Sequence, residues 1–268
     1  MKVLLFLFCA LNLFSQPKRF VYKYEFIPDL NDPKLTKEYM FLDLNQEKSQ
    51  FYSYTNYHVD STALEFSKKG LFYMPPNLEY LNFRIEKDFN TGKTDMISKI
   101  RSVVYRISDD HVYNWTITNN TDSILGHPVV SAEINFGGRH WTAWFAPDIP
   151  FQDGPYKFHG LPGLILKIED DSKSHRFVAV QIKTLENYEQ YPLTGNSKPT
   201  IQISQEKYKK MYLDYRLDPL KDLRGRYPDQ RYSDGSFVPG DQAFRNEEKR
   251  FKERIKKDNN IIEIDLLK

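Results

Sequence analysis

Residues 129–145 read VVSAEINFGGRHWTAWF. Two runs of alternating side chains meet at Gly137-Gly138, a pair that accepts positive φ at both centres of a tight turn. That turn sets a register in which Phe136 faces Arg139, Ile134 faces Trp141 and Ala132 faces Ala143. One face then carries Val130, Ala132, Ile134, Phe136, Trp141 and Phe145. The other carries Ser131, Glu133, Asn135, His140, Thr142 and Trp144. A strand with one apolar and one polar face is a half-buried antiparallel strand. Trp144 is the residue that does not fit its face.

The same pattern extends in both directions. Residues 163–169 and 175–185 form a second hairpin across the polar turn 170–174. Between the two hairpins, Pro147, Pro150, Pro155 and Pro162 hold the backbone φ, so this connection is a shaped loop. Upstream, 19–27, 40–44, 50–54, 81–87, 94–100, 102–107 and 111–117 alternate as strands. Residues 57–69 are less regular and admit a helical turn, which Pro75-Pro76 ends. Downstream, 204–217 reads as a helix capped by Ser204, and 241–257 as a charged helix with a narrow stripe of Phe244, Phe251 and Ile255. Residues 220–239 read as irregular, and 261–266 as a last strand. The expected fold is mainly β (β-rich α+β), an antiparallel curved sheet or half-barrel with C-terminal helices. Residues 16–268 are expected to form one domain, with a helical elaboration at about 204–257.

The composition fits this reading. The chain has 268 residues, 40% of them hydrophobic, with 18 Tyr and 19 Phe. It can bury a sizeable core, and its aromatic content suits strands. A net charge of +2 without long single-sign runs does not imply a nucleic-acid partner. Lys2 followed by the apolar residues 3–14 has the pattern of a signal peptide over 1–15, with cleavage near Ser15, and is too short for a membrane span. No later stretch is apolar enough to span, so an integral membrane protein is not expected. Cys9, the one cysteine, lies in that leader, so the mature chain is expected to lack disulfides and thiolate metal sites. The expected location is periplasmic or extracellular.

The common catalytic motifs for zinc proteases, serine hydrolases and nucleotide binding do not occur. No cofactor is expected. Among the six histidines, His140 and His159 are the weak metal candidates, with Glu133 within reach of His140 across the hairpin. The commoner role of an imidazole at such positions is a hydrogen-bonded surface residue. Trp141 and Phe145 read first as core. Trp144 reads either as packed under the proline loop or as part of a groove. The expected ligand-binding set is Trp141, Trp144, Phe145, Phe158, His159, Leu161, Pro162 and Leu164.

Several segments resemble the GLPGLI family of secreted bacterial proteins. They are residues 49–53, Gly138-Arg139 with 141–145, Ile149-Pro150, Gly154-Pro155, 158–168 with its Gly-Leu-Pro-Gly-Leu-Ile run, and 259–263. The chain departs from the family at Ile261, where proline is frequent. The resemblance implies export in a Gram-negative bacterium and names no reaction. By analogy it suggests a LolA-like open half-barrel holding an apolar ligand. The expected function is a non-enzymatic envelope protein that binds an apolar or peptide-like ligand, or an outer-membrane protein, through an aromatic-lined concave sheet. The alternative is a metal-binding protein or hydrolase using His140, His159 and nearby carboxylates.

Overall fold

A computed structural model describes residues 16–74, 81, 83–101, 103–191 and 200–268. Its body is one sheet of twelve strands. In chain order these are β1 (Lys18–Phe26), β2 (Thr36–Leu44), β3 (Lys48–Ser53), β4 (Phe83–Asp88), β5 (Lys93–Ile100), β6 (Val103–Asp109), β7 (Thr116–Ile124), β8 (His127–Phe136), β9 (Arg139–Ala146), β10 (Leu164–Asp170), β11 (His175–Thr184) and β12 (Ile201–Ser204). The order across the sheet is β12-β6-β5-β4-β3-β2-β1-β11-β10-β9-β8-β7. The sheet is not closed, because β12 and β7 are its edges. Among the described residues, only β12, on β6, pairs in parallel. The mainly β, antiparallel architecture is as expected.

The helices are α1 (Tyr54–Lys68), α2 (Gln205–Leu217) and α3 (Gly240–Lys256). Ser53 caps α1 by accepting from the Asn56 amide, and Ser204 caps α2 by accepting from Lys207. The first helix lies on β2 and β3. The second lies on β5 and β6, and α3 lies on α2.

The β8–β9 register is Phe136↔Arg139, Ile134↔Trp141 and Ala132↔Ala143, as the sequence predicts. Gly137 and Gly138 take φ of 62° and 79°, so the turn has the twist that suits adjoining strands. Ala132, Ile134, Phe136, Trp141, Ala143 and Phe145 enter the core, where they meet Phe20, Tyr22, Tyr24 and Phe26 of β1.

Three local expectations are corrected. The irregular stretch at 57–69 belongs to a full helix of 15 residues, α1. Residues 110–115 form a loop, and the strand begins at Thr116. Tyr113 and Trp115 leave the alternation because both rings pack on Phe158, and Tyr113 also stacks on Phe136. The expected last strand at 261–266 is instead an extended segment ending in a 3-10 turn, Ile264–Leu267. Arg139 takes the Ile261 and Ile262 carbonyls, so those groups are not available to a ladder. Residues 220–239 hold a 3-10 turn (Lys221–Leu223) and a short ribbon of β13 (Gln230–Arg231) and β14 (Phe237–Val238). Pro75-Pro76 lies outside the described residues.

Candidate functional site

A cavity of about 850 Å³ lies between the β4–β6 end of the sheet, β1, α2, α3 and the C-terminal segment. Tyr105, Tyr208, Tyr212, Tyr215, Met96 and Met211 supply much of its wall. Three of these rings come from one face of α2, at i, i+4 and i+7. Tyr208 and Tyr212 stack with centroids 5.7 Å apart, and the Tyr208 hydroxyl lies 3.3 Å from Ser98 Oγ. Tyr24, Tyr156, His175, Asn260 and Glu263 are buried and form the inner end. Asp222, Leu223 and Arg250 are exposed and form the rim. The size is that of a small-molecule site, and the wall mixes these apolar side chains with charged ones such as Arg216, Arg254 and Asp258.

The inner end is a hydrogen-bonded network. The hydroxyl of Tyr24 lies 2.7 Å from His175 Nδ1. The His175 amide donates to Asp170 Oδ1 at 2.7 Å. Arg139 donates to Asp170 Oδ2 at 3.1 Å, to Asn260 Oδ1 at 2.5 Å and to Ile261 O at 2.8 Å. Burial, and then the Arg139 charge, push the His175 pKa down to about 3, so the ring is neutral at ordinary pH. Its Nε2 is buried and has no hydrogen-bond partner. The Asn260 backbone favours the protonated ring, yet no hydrogen bond of ordinary geometry closes on Nε2.

Glu263 gathers three donors. Lys157 Nζ and the Tyr156 hydroxyl each lie 2.5 Å from Oε1, and Gln205 donates to Oε2 at 3.3 Å. Burial, and then Glu263, hold the Tyr156 hydroxyl well above its usual range. Burial also raises Asp258, against the pull of Arg216.

A second buried pair fixes the proline loop. Lys87 Nζ donates to Asp153 Oδ1 at 2.5 Å, to Gly154 O at 2.9 Å and to Phe158 O at 3.0 Å. All three ammonium hydrogens are thereby used.

The expected binding residues occupy a different region. Trp141, Phe145, Phe158, Leu161 and Leu164 are fully buried core side chains, and none of them lines the cavity. They have no free surface to offer a ligand. Trp141 donates its indole N–H to Phe136 O at 3.0 Å. Trp144 is half-buried beside Lys167, whose ammonium lies 6.0 Å from the ring centroid. Pro162 is exposed. His159 is half-buried, its Nδ1 lying 2.8 Å from Lys157 O and its ring 4.5 Å from Tyr113. Burial and then Lys87 lower its pKa.

His140 lies on the outer hairpin face, 3.0 Å from Asp171 and 3.9 Å from Glu133. It shares no hydrogen-bond or ion-pair partner with His159. Among the described residues, no group of three or more His, Cys, Asp or Glu is placed to hold a metal ion. Tyr24, His175 and the α2 tyrosines were not expected at a site. The tyrosine spacing on α2 was the available signal; His175 carried none.

A family model described as "Protein of unknown function (Porph_ging)" matches residues 115–167. That stretch spans β7, both strands of the Gly-Gly hairpin, the proline loop and the start of β10. The chain is similar in fold to two structures of PNGF-II. One, in a C2 space group, is 17% identical with a TM-score of 0.53; the other, in a P21 space group, is 16% identical with a TM-score of 0.51. Each comparison covers 75% of this chain and 34% of the other, so this chain spans about a third of the length of that protein. At that identity the likeness is one of fold alone. No curated protein matches the chain.

Proposed function

We propose that the chain is an exported envelope protein that binds an apolar or peptide-like small molecule in its tyrosine-lined cavity and performs no chemistry on it. A family of unknown function and a β-sheet fold with aromatic clusters are consistent with a ligand-binding role. The observation that carries the reading is the cavity itself, with an aromatic and thioether wall, a few buried polar groups at one end, and an open rim. Among the described residues, no helix is long and apolar enough to cross a membrane. The matched region and the Gly-Leu-Pro-Gly-Leu-Ile run belong, in this reading, to one family of exported proteins. The leader over residues 1–15 is removed near Ser15. The cavity supersedes the Trp144 face as the place where the ligand sits.

The test is a fluorescence titration with N-phenylnaphthylamine, an apolar dye that brightens in dry pockets. The native protein should bind it saturably. Met211→Trp, which fills the cavity wall, should abolish binding while keeping the circular dichroism and melting of the native protein. Trp144→Ala should leave dye affinity unchanged. Unchanged dye binding in Met211→Trp would remove the cavity reading. No observation favours the His140 and His159 alternative.

A further inference from the structure

We infer that the cavity's ligand is an anionic amphiphile, an apolar chain ending in a carboxylate or phosphate, and that Arg254 of α3 receives its head. The inference rests on the cavity being the binding site and names the class of molecule that enters it.

One face of α3 lines the cavity. Glu247, Arg250, Phe251, Arg254 and Ile255 lie on it, and Asp258 continues it just past the helix. Steps of three and four residues keep these side chains on one stripe. Arg254 is half-buried there, with its guanidinium carbon 4.5 Å from the centroid of the Phe251 ring. Among the described residues its guanidinium has no ion-pair partner and donates no hydrogen bond to protein. Asp258, the carboxylate four residues on, faces Arg216 at 3.5 Å instead. Glu247 is taken by Arg250, Glu248 by Lys252 and Glu253 by Lys249. Elsewhere on the wall, Glu263 is held by Lys157, and Asp222 lies 3.5 Å from Arg101. Each described carboxylate of the wall thus has a cation of its own, and the Arg254 charge is left over.

Two bland roles do not absorb it. Arg254 stands in the last turn of α3, where a cation suits the helix dipole. Lys256 serves that end from solvent, away from the cavity. Lys99 also lines the cavity without an ion pair, but it is exposed and out of phase with Met96, Ser98 and Ile100 on β5. Strand alternation turns its side chain to the other face of the sheet, so the head is assigned to Arg254. A half-buried cation without a counter-ion carries a desolvation cost that an anion offsets. A guanidinium presents paired N–H groups that fit a carboxylate or phosphate with two bonds. The Tyr208, Met211 and Tyr212 side of the wall then takes the apolar chain. A cationic head would meet the Arg254 charge, and an uncharged head would leave it unpaired.

The experiment compares four molecules with one chain and different heads, octanoate, octyl phosphate, octanol and octylammonium, by calorimetry near neutral pH and at low salt. The two anions should each bind roughly tenfold tighter than octanol or octylammonium, the ratio that one partly buried charged hydrogen-bond pair supplies. Salt at about 0.5 M should shrink that ratio. Arg254→Gln should remove the anion preference and leave N-phenylnaphthylamine affinity and melting as in the native protein. Arg254→Lys should keep part of the preference. Lys249→Gln removes the same charge from a side chain that is 79% exposed, and should keep all of it. Equal affinities for the four heads, tightest binding of octylammonium, or an anion preference that survives Arg254→Gln would overturn the inference. Equal loss in Arg254→Gln and Lys249→Gln would trace the preference to net charge and overturn it too. If the Gln variant does not fold, the head-group ranking on the native protein still decides. Dye binding with no head-group preference would sink this inference alone. Failure of the dye and of all four probes to bind would sink the cavity reading with it.

Discussion

Lys87 shows how a single residue holds the proline loop. Its ammonium is enclosed with Asp153 and spans from β4 to the carbonyls of Gly154 and Phe158. Burial depresses its pKa, against the pull of Asp153. Lys87→Met would leave the Asp153 carboxylate buried without its counter-ion. The variant should lose about 3–5 kcal/mol in urea unfolding. Lys87→Met combined with Asp153→Leu should recover much of that loss, since it removes both charges. The alternation of the strand at 81–87 already puts Lys87 on the face of Phe83 and Ile85, so a buried lysine was legible. Its partner was not, because Asp153 is 66 residues away along the chain.

His175 makes a separate prediction at this scale. Its folded pKa of about 3 lies below the ordinary 6.5. Its contribution to stability is therefore complete above pH 6.5 and is lost as pH falls toward 3. By linkage, about 2 kcal/mol of it should be gone at pH 5. The native protein should lose that much more stability between pH 8 and pH 5 than His175→Gln does. Parallel pH profiles for the two would contradict the assignment of the ring as buried and neutral.

At the scale of elements, the Gly-Gly hairpin was legible in its turn and register, though Ser131, on the face read as polar, is buried and Val130, on the face read as apolar, is only half-buried. Two alternating runs and a two-residue turn leave one register that keeps the apolar face inward. The Gly-Leu-Pro-Gly run was legible as a turn but not in its parts. Gly163 has a φ of 148°, and a Cβ there would lie 2.2 Å from Ala146 O; Gly160 has a φ of 90° with nothing within 4 Å. Gly163→Ala should lower the melting temperature sharply. Gly160→Ala should show only the strain of its backbone, on the order of 1 kcal/mol.

The C-terminal segment was misread as a strand because its hydrogen bonds go to a side chain. Arg139 takes Asn260 Oδ1 and the carbonyls of Ile261 and Ile262, a contact across 121–123 residues that no local pattern carries. Arg139→Met should detach this segment, leaving Asp170 and Glu263 near the cavity more open to exchange. Hydrogen exchange should show faster amides at 259–266 with little change in β2 and β3. Uniform loss of protection across the sheet would mean that the segment is no separate unit.

At the scale of the whole molecule, the cavity exists only because distant elements meet. Tyr24 comes from β1, Met96 from β5, His175 from β11 and Tyr212 from α2. A single chain read residue by residue gives the aromatic supply but not where it converges. Attention therefore fell on Trp141 and Phe158, which are conspicuous in sequence and serve as core. The helices that read as an elaboration of the sheet supply one wall of the cavity.

If this wall receives a ligand, the methionines will report it. Met96 and Met211 line the cavity, Met40 is fully buried elsewhere in the core, and Met74 is exposed. In protein labelled with carbon-13 at the methionine methyls, a titration with N-phenylnaphthylamine should move the Met96 and Met211 signals together, with one affinity. Met40 and Met74 should stay in place. Movement of Met74 alone, or of no methyl at saturating dye, would contradict the account.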